Sequence, residues 1–225
     1  MSKNSQDIAA LESMEVAYNY NKYVFNKVLS EISGNQVLDF GAGFGLFCKF
    51  LQKENKNIYA LEVNEEALKV LKERNIASFN KLEHIDIKFS EITSLNVLEH
   101  IDDDSKVLNQ ISNLLQIDGK IILYLPASML VWTELDEIVN HKRRYTKKSI
   151  ESLALETNLH IEKIYYVDFI GWITLLISKA LRLKINFSPK KIEIYDKLIF
   201  KHFSFLDKIF SKIIGKNILI VLSKK

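Results

Sequence analysis

The sequence feature that most constrains the fold is a short apolar run followed by three glycines at alternate positions. The run covers residues 37–40, and Gly41, Gly43 and Gly45 follow it. Apolar residues then recur at helical spacing over 46–51. The pattern predicts a strand, a tight turn and a helix. Glycine permits positive φ and lets a ligand approach the backbone closely, so the turn is a candidate ligand site.

The spacing of the glycines separates the common types of glycine-rich turn. A phosphate-binding P-loop ends in Gly-Lys-Ser/Thr, but Leu46 and Phe47 follow Gly45 here. A dinucleotide-binding turn requires its third glycine at position 46, which is leucine. The remaining pattern, beginning at Asp39, is Asp-x-Gly-x-Gly-x-Gly. It excludes a P-loop and weakens an NAD site.

A second apolar run, at 58–61, ends in the acidic residue Glu62. Glu62 lies 21 residues after Gly41, and Asn64 next to it is a good helix cap. Ligands of open α/β sheets bind at the carboxyl ends of the strands, so we expect Glu62 beside the glycine turn. A carboxylate there accepts two hydrogen bonds from a ribose. S-adenosylmethionine and NAD both carry that ribose, so Glu62 predicts nucleoside binding without choosing between them.

Three stretches carry a family resemblance. Asp-x-Gly-x-Gly-x-Gly resembles the first motif of class I S-adenosylmethionine-dependent methyltransferases. Leu-Glu-His at 98–100 follows a predicted strand at 89–96 and resembles a stretch of bacterial small-molecule methyltransferases, including the ubiquinone-biosynthesis type. Asn-His-Lys-Arg-Arg-Tyr-Thr at 140–146 resembles the Gly-His-x-Arg-Arg-Tyr-Thr segment of a bacterial subgroup, with Asn140 in place of glycine. Ser90 departs from the Phe-Asp that usually begins the fourth strand.

The resemblance implies a doubly wound, Rossmann-like α/β fold. Its seven-stranded sheet is mostly parallel, with an antiparallel last strand. We expect one methyltransferase domain over 1–225, divided into an N-terminal helical cap at 1–34, a cofactor-binding core at 35–169, a helical insertion at 170–215 and a last strand at 216–225. Periodicity predicts helices at 6–20 and 22–33. The predicted strands are 36–40, 58–64, 78–85, 89–96, 120–125, 160–169 and 217–223.

The resemblance also implies that S-adenosylmethionine binds above the glycine turn and leaves as S-adenosylhomocysteine. Asp39 is expected to order the turn or to reach the cofactor's amino group through water. Glu62 is expected to bind the ribose, and Tyr20 either packs onto the sheet or covers the pocket. The full implied cofactor site is Tyr20, Asp39, Gly41, Ala42, Gly43, Gly45, Glu62, Val63, Leu95, Asn96 and Val97.

Transfer to a hydroxyl or carbon acceptor requires removal of a proton, and histidine is the usual base near neutral pH. His100 and His141 are the candidates, with the alternative that each only orders its loop. The long segment 127–145 is expected to bind the acceptor through Trp132, Arg143, Arg144 and Tyr145. The arginines suit an acidic or phosphorylated acceptor, or they pair with Asp136 or Glu134 and hold the loop.

Charge is unevenly distributed along the chain. From Lys179 onward there are 12 Lys and Arg against three acids, a net +9, and the remainder is −6. The basic end suits an anionic membrane surface or a phosphate-bearing substrate, or it is a solvated face. One cysteine and a polar N-terminus favour a cytoplasmic protein, with peripheral membrane contact as a further expectation.

Two other classes of ligand are not expected. Basic residues do not interleave with aromatic ones along one platform, so no nucleic-acid partner is predicted. His84, His160 and His202 lack partners at metal-ligand spacing, so no metal site is predicted.

The leading hypothesis is methyl transfer to oxygen of a small or lipid-linked acceptor, and similar bacterial proteins suggest surface-glycan synthesis. A non-catalytic S-adenosylmethionine-binding partner subunit is one alternative. An NAD-binding oxidoreductase is another, opposed by Leu46 and the Leu-Glu-His stretch. The oligomeric state is not assigned.

Overall fold

The computed structural model describes residues 15–182 and 188–224 and contains a seven-stranded sheet. The strands are β1 Gln36–Phe40, β2 Asn57–Leu61, β3 Ala77–Phe79, β4 Phe89–Leu95, β5 Leu115–Pro126, β6 Leu159–Val167 and β7 Asn217–Lys224. Their order is β3-β2-β1-β4-β5-β7-β6. β7 lies antiparallel between β5 and β6, whereas the pairs from β3 to β5 are parallel. The predicted fold class and the antiparallel last strand are confirmed.

Helices pack on both faces of this sheet. They are α1 Tyr18–Leu29, α2 Leu46–Lys53, α3 Glu65–Glu73, α4 Asp104–Ser112, α5 Glu134–Ile138, α6 Lys147–Glu156, α7 Phe169–Ala180, α8 Pro189–Tyr195, α9 Lys201–Phe203 and α10 Asp207–Phe210. Successive strand residues point to opposite faces, so Val37 joins the core under α1 and α2 while Leu38 joins the core under α4 and α6. Both strand faces are buried, which explains the continuous apolar runs.

The sequence misplaced several element boundaries. Tyr18–Leu29 is one helix across the break predicted at residue 21, and most of the helix predicted at 6–20 lies outside the described residues. β3 ends at Phe79, well before residue 85, because a short 3₁₀ turn at Leu82–His84 follows. β5 begins at Leu115, where a bulge opposite Phe89 shifts the register and lets pairing start early.

The described residues between β6 and β7 are mainly helical, and two buried carboxylates attach this segment to the core. Asp196 accepts hydrogen bonds from the backbone N–H of Asn19 and Tyr20, at 2.9 and 2.7 Å. Asp207 accepts from the N–H of Asp168 and Phe169, both at 2.7 Å. These are helix-start N–H groups that lack intrahelical partners, so each carboxylate caps a helix from a distant part of the chain.

Within 15–182 and 188–224, every helix is too short or too polar to cross a membrane. The most apolar, α7, has 12 residues, against the roughly 20 that a transmembrane helix needs.

Candidate active site

The glycine turn joins β1 to α2 in a conformation that requires glycine. Gly41, Gly43 and Gly45 have φ values of +78°, +52° and +74°. The N–H groups of Gly41 and Ala42 donate to the carbonyl of Leu61 at 2.8 and 3.2 Å, which ties the turn to the end of β2. A Cβ on Gly41 would lie 2.4 Å from a methyl group of Val97. The turn is therefore a backbone surface in close contact with the end of β4.

Glu62 lies beside this turn, as the spacing predicted. Its Oε2 accepts from the N–H of Gly43 at 2.8 Å, and its Oε1 accepts from the N–H groups of Val63 and Asn64 at 2.8 and 2.9 Å. These bonds fix the carboxylate at the carboxyl end of β2, and its unused lone pairs suit the two hydroxyls of a ribose. Val63, a predicted cofactor residue, donates its backbone N–H to Glu62 Oε1, and its side chain is 78% exposed.

Asp39 lies beneath the turn rather than at its surface. It accepts hydrogen bonds from Cys48 Sγ at 3.3 Å and Thr93 Oγ1 at 3.0 Å, and it is 3% exposed. Burial raises the pKa of this carboxyl to about 6. Of its two expected roles, this position favours ordering of the turn, because the side chain links β1 to α2 and β4.

The chain turns sharply after β4, at the predicted cofactor residues Leu95, Asn96 and Val97. Asn96 adopts a φ of +54°, and its N–H donates to the carbonyl of Tyr124 at 2.8 Å. Its side-chain oxygen accepts from Asn217 Nδ2 at 3.2 Å. Leu95 is partly buried, and Val97 packs against Gly41. This turn and the glycine turn therefore form one surface.

Tyr20 packs into the core beside a buried ion pair that sequence reasoning missed. Its hydroxyl lies 3.0 Å from that of Tyr124, and its ring packs edge-on against Phe200. Lys216 Nζ lies 4.7 Å from the centre of the Tyr20 ring and 2.7 Å from Asp168 Oδ2. The Tyr20 side chain thus packs into the core and does not form a free lid over the cofactor pocket. Lys216 directly precedes β7 and Asp168 directly follows β6, so no local pattern marked them.

The loop from Ala127 to Tyr145, the acceptor loop, folds back onto the segment after β4. Lys142 N–H donates to the carbonyl of Glu99 at 2.8 Å, and Tyr145 N–H donates to that of Pro126 at 2.8 Å. The Tyr145 hydroxyl donates to Asp104 at 2.7 Å. Tyr145 is only 3% exposed. The Tyr145 hydroxyl thus fastens the loop, and its predicted role in binding the acceptor stays a prediction.

Asp136 organises the interior of the acceptor loop. It accepts from Arg144 Nε at 2.8 Å and Nη2 at 3.1 Å, from His141 Nδ1 at 2.7 Å and from the N–H of Thr133 at 2.9 Å. Burial raises the pKa of Asp136, but the hydrogen bonds from His141 and Arg144 outweigh it and lower the pKa to about 2. This ion-pair network holds the loop as one unit.

The same contacts favour the alternative role for Arg144, that of holding the loop. Its guanidinium is buried and donates to Asp136 and to the carbonyl of Ala127. Arg143 pairs with Asp104 at 2.9 Å and remains about one third exposed. Trp132 is partly buried. Arg143 and Trp132 are thus the predicted acceptor residues that keep accessible surface.

The two candidate bases lie together with a buried acid that was not predicted. The rings of His100 and His141 are 4.8 Å apart in an edge-on arrangement. Glu99 Oε1 lies 3.6 Å from His141 Nε2, and Glu99 is fully buried. Burial raises the pKa of Glu99 to about 8. We call Glu99, His100, Asp136 and His141 the histidine cluster. Glu99 is adjacent to His100 in the sequence, but the burial of the Glu99 side chain depends on the acceptor loop.

The family model described as DREV methyltransferase matches residues 17–162, well over half of the chain. This chain belongs to the DREV methyltransferase family. The matched range contains the glycine turn, Glu62 and the histidine cluster, and it ends before the helical segment between β6 and β7. No curated protein matches the chain.

Solved methyltransferase structures share the fold of this methyltransferase. A Thermotoga maritima protein described as a possible histamine N-methyltransferase is 15% identical with a TM-score of 0.66, and the match covers 100% of both chains. An S-adenosylmethionine-dependent methyltransferase from Clostridium acetobutylicum is 14% identical with a TM-score of 0.58, over 92% of this chain and 91% of that one. Magnesium protoporphyrin IX methyltransferase from Synechocystis, solved with S-adenosylhomocysteine, is 16% identical with a TM-score of 0.55, over 68% and 78%.

These comparisons confirm that the chain is a class I S-adenosylmethionine-dependent methyltransferase with S-adenosylmethionine as its cofactor. The local structure fits that cofactor, since the turn lacks Cβ atoms where a ligand would approach and Glu62 lies at the adjoining strand end. The alternatives of an oxidoreductase and a non-catalytic subunit lose their support. The roles assigned to single residues stay predictions.

Proposed function

We propose that this methyltransferase transfers a methyl group to a hydroxyl oxygen of a small or lipid-linked acceptor. The observation that carries the proposal is the histidine cluster. It brings His141 of the acceptor loop against His100, which follows Val97 closely in the chain, and Val97 contacts Gly41 of the cofactor turn. A group able to take a proton therefore stands next to the site from which a methyl group would be delivered.

S-adenosylmethionine supplies a methyl group on a sulfonium, a good leaving group that needs little acid catalysis. The chain's own contribution is to hold the acceptor close and aligned, an effect worth at most about 7–11 kcal/mol. It also removes the hydroxyl proton. Asp136 accepts a hydrogen bond from Nδ1–H of His141, which directs Nε2 of that ring away from Asp136 and toward Glu99.

Arg143 and its neighbour Lys142 are basic residues of the acceptor loop that keep accessible surface. The pairing of Arg143 with Asp104 leaves about one third of the Arg143 side chain exposed, and this exposed part suits an acceptor that carries a phosphate or carboxylate. This supports an acidic or phosphorylated acceptor, such as a glycan intermediate on a lipid carrier in surface-glycan synthesis.

We also propose that the protein meets its lipid-linked acceptor at an anionic membrane surface. Exposed apolar side chains and lysines cover the segment between β6 and β7. They include Ile177, Leu181, Leu198, Phe203, Phe205, Ile209 and Ile213, interspersed with Lys179, Lys197, Lys201, Lys208 and Lys212. α7 packs against segments 204–210 and 129–131, so this apolar and basic surface adjoins the acceptor loop. Such a mixture favours the interface of a bilayer with anionic lipids.

The acceptor proposal is tested by incubating the purified chain with radiolabelled S-adenosylmethionine and with separate fractions of soluble metabolites and lipid-linked glycans. Label should appear as an O-methyl ether recovered after acid hydrolysis. His100→Ala and His141→Ala should each lower the rate about 100-fold or more. His160→Ala, which removes an exposed histidine on β6, is the matched control. Label found on nitrogen, or none in any fraction, would overturn the proposal.

The membrane proposal is tested by flotation with phosphatidylglycerol vesicles and with phosphatidylcholine vesicles. Binding should require the anionic lipid and weaken with salt. Joint replacement of Phe203 and Phe205 by Asp should abolish it, while Ile117→Asp should not. Ile117 is 94% exposed on β5, outside this surface. Equal binding of both vesicle types, or none, contradicts this proposal.

A further inference from the structure

The histidine cluster contains a feature that a proton-transfer role leaves unexplained. Both carboxylate oxygens of Glu99 are buried, and neither has a hydrogen-bond partner among the described residues. Leaving a buried carboxylate without partners costs several kcal/mol, so such groups are rare in proteins. One of the few stable arrangements for it is coordination of a cation.

The surrounding side chains supply the other ligands of a cation site. One ligand atom each from Glu99, His100 and His141 lies within 4.8 Å of the others. In a formed tetrahedral site with bonds of about 2.0–2.2 Å, neighbouring ligand atoms lie about 3.3–3.6 Å apart. Small rotations of the two imidazoles close that difference, because both rings are only partly buried.

The orientation of His141 also favours a metal. Its Nδ1 faces Asp136 at 2.7 Å, and its Nε2 faces Glu99 Oε1 at 3.6 Å. A carboxylate that accepts the far ring proton is the usual second-shell partner of a metal-bound histidine, since it fixes the tautomer and raises the basicity of the ligating nitrogen. Asp136 is fixed in turn by Arg144, so the orientation is built into the loop.

We propose that Glu99, His100 and His141 bind one divalent transition-metal cation, with Asp136 as a positioning residue. One carboxylate and two imidazoles suit Zn²⁺, Fe²⁺ or Mn²⁺ better than Ca²⁺ or Mg²⁺, which favour oxygen ligands throughout. Three protein ligands leave coordination positions open, as in catalytic rather than structural sites. This revises the expectation of no metal site, which had weighed His84, His160 and His202 and had not paired Glu99 with His100 and His141.

The cation gives the cluster a defined chemistry, and this role rests on the proposed function. An acceptor hydroxyl that occupies an open coordination position is held next to the end of β4. It would also pass its proton to solvent more readily there, because a divalent cation lowers the pKa of a bound hydroxyl. His100 and His141 then act as ligands, and neither needs to be the free base.

Co²⁺ is the probe for the site, because its visible absorption reports its ligands. The full chain is treated with a chelator and titrated with CoCl₂. We expect one equivalent to bind with a visible spectrum, and Zn²⁺ to displace it. Glu99→Gln, a nearly isosteric change, and His141→Ala should each weaken Co²⁺ binding about 100-fold or more, and Asp136→Asn about 10–100-fold. His202→Ala, at an exposed histidine, should leave it unchanged.

Two controls keep this test decisive. Calorimetric affinity for S-adenosylmethionine shows which variants are folded. If Glu99→Gln or His141→Ala does not fold, His100→Ala is tested in its place. Co²⁺ binding that is absent, or unaffected by both Glu99→Gln and His141→Ala, overturns the metal site. If no acceptor is methylated by the Mn²⁺- or Zn²⁺-loaded protein while Co²⁺ binding follows the pattern above, the proposed function fails and the metal site stands.

Discussion

The cofactor turn and the acceptor loop lie at the same edge of the sheet but are held by different kinds of interaction. The turn is held by backbone N–H groups, by three glycines with positive φ and by Glu62. The acceptor loop is held by side chains, chiefly the buried ion pair of Asp136 and Arg144. Replacements in the turn should therefore act mainly on cofactor affinity, and replacements in the loop mainly on stability.

Asp136→Ala is expected to have the largest effect and to test the loop side of the comparison. It leaves the buried Arg144 guanidinium unpaired and removes the partner of His141, which should lower the free energy of unfolding by about 3–5 kcal/mol. Urea unfolding measures this loss of unfolding free energy. Glu137→Ala, an exposed neighbour on α5, is the control and should change little. A loss below about 1 kcal/mol would mean that the loop is not held by this network.

Asp39→Asn tests whether the turn contributes to stability through a buried charge. The native pKa of Asp39 is raised by burial from 3.8 to about 6, so the native state binds more protons than the unfolded state between these values. The unfolding free energy of the wild type should therefore fall by about 3 kcal/mol as pH rises through this window, and that component is absent in the variant. Urea unfolding of both proteins at pH 3.5 and pH 7 should show that the unfolding free energy of the variant, relative to that of the wild type, is higher at pH 7. A difference independent of pH would contradict the buried carboxylate.

Glu62→Gln should affect binding and spare stability, which is the sharpest form of the comparison. The amide nitrogen would face the N–H of Gly43, and the charge that attracts the ribose hydroxyls is lost. Affinity for S-adenosylmethionine should fall about 100-fold, as expected for the loss of two charge-assisted hydrogen bonds. Calorimetry measures it, with Glu65→Gln at the exposed start of α3 as the control. An unchanged affinity would remove Glu62 from the cofactor site.

Gly41→Ala should lower stability less than Asp136→Ala does, and it shows how the turn meets the segment after β4. Its φ of +78° and the 2.4 Å approach of Val97 should together cost about 2 kcal/mol of unfolding free energy. Adding Val97→Ala relieves the clash but not the backbone strain, so the two changes should be coupled by about 1 kcal/mol in urea unfolding. Strict additivity would show that the two segments do not touch.

Local patterns were sufficient for the sheet and for the cofactor turn. An apolar run placed β1 to the residue, because strands buried on both faces are largely apolar. The glycine spacing predicted the turn, since positive φ is a property of single residues. The position of Glu62 followed from the rule that ligands bind at the carboxyl ends of strands.

The acceptor loop was harder to predict because its contacts join residues far apart in the chain. Arg144 was assigned to the acceptor, although pairing with Asp136 had been weighed, because an arginine in a sequence does not show whether it is buried. Glu99 was not predicted as a site residue, because its burial is likewise not visible in the sequence. Its burial comes from Lys142 and the rest of the loop that covers it.

The sequence by itself thus determined the fold class, the cofactor turn and the methyltransferase family, since these depend on local backbone requirements and on short-range spacing. Only the tertiary structure decided which charged residues of the loop are structural and which form a site. That decision depends on burial and on pairs such as Glu99 with His141 and Asp136 with Arg144. Desolvation makes an unpaired buried charge costly, so the packed loop, rather than the order of residues, decides which of these groups are left to bind a ligand.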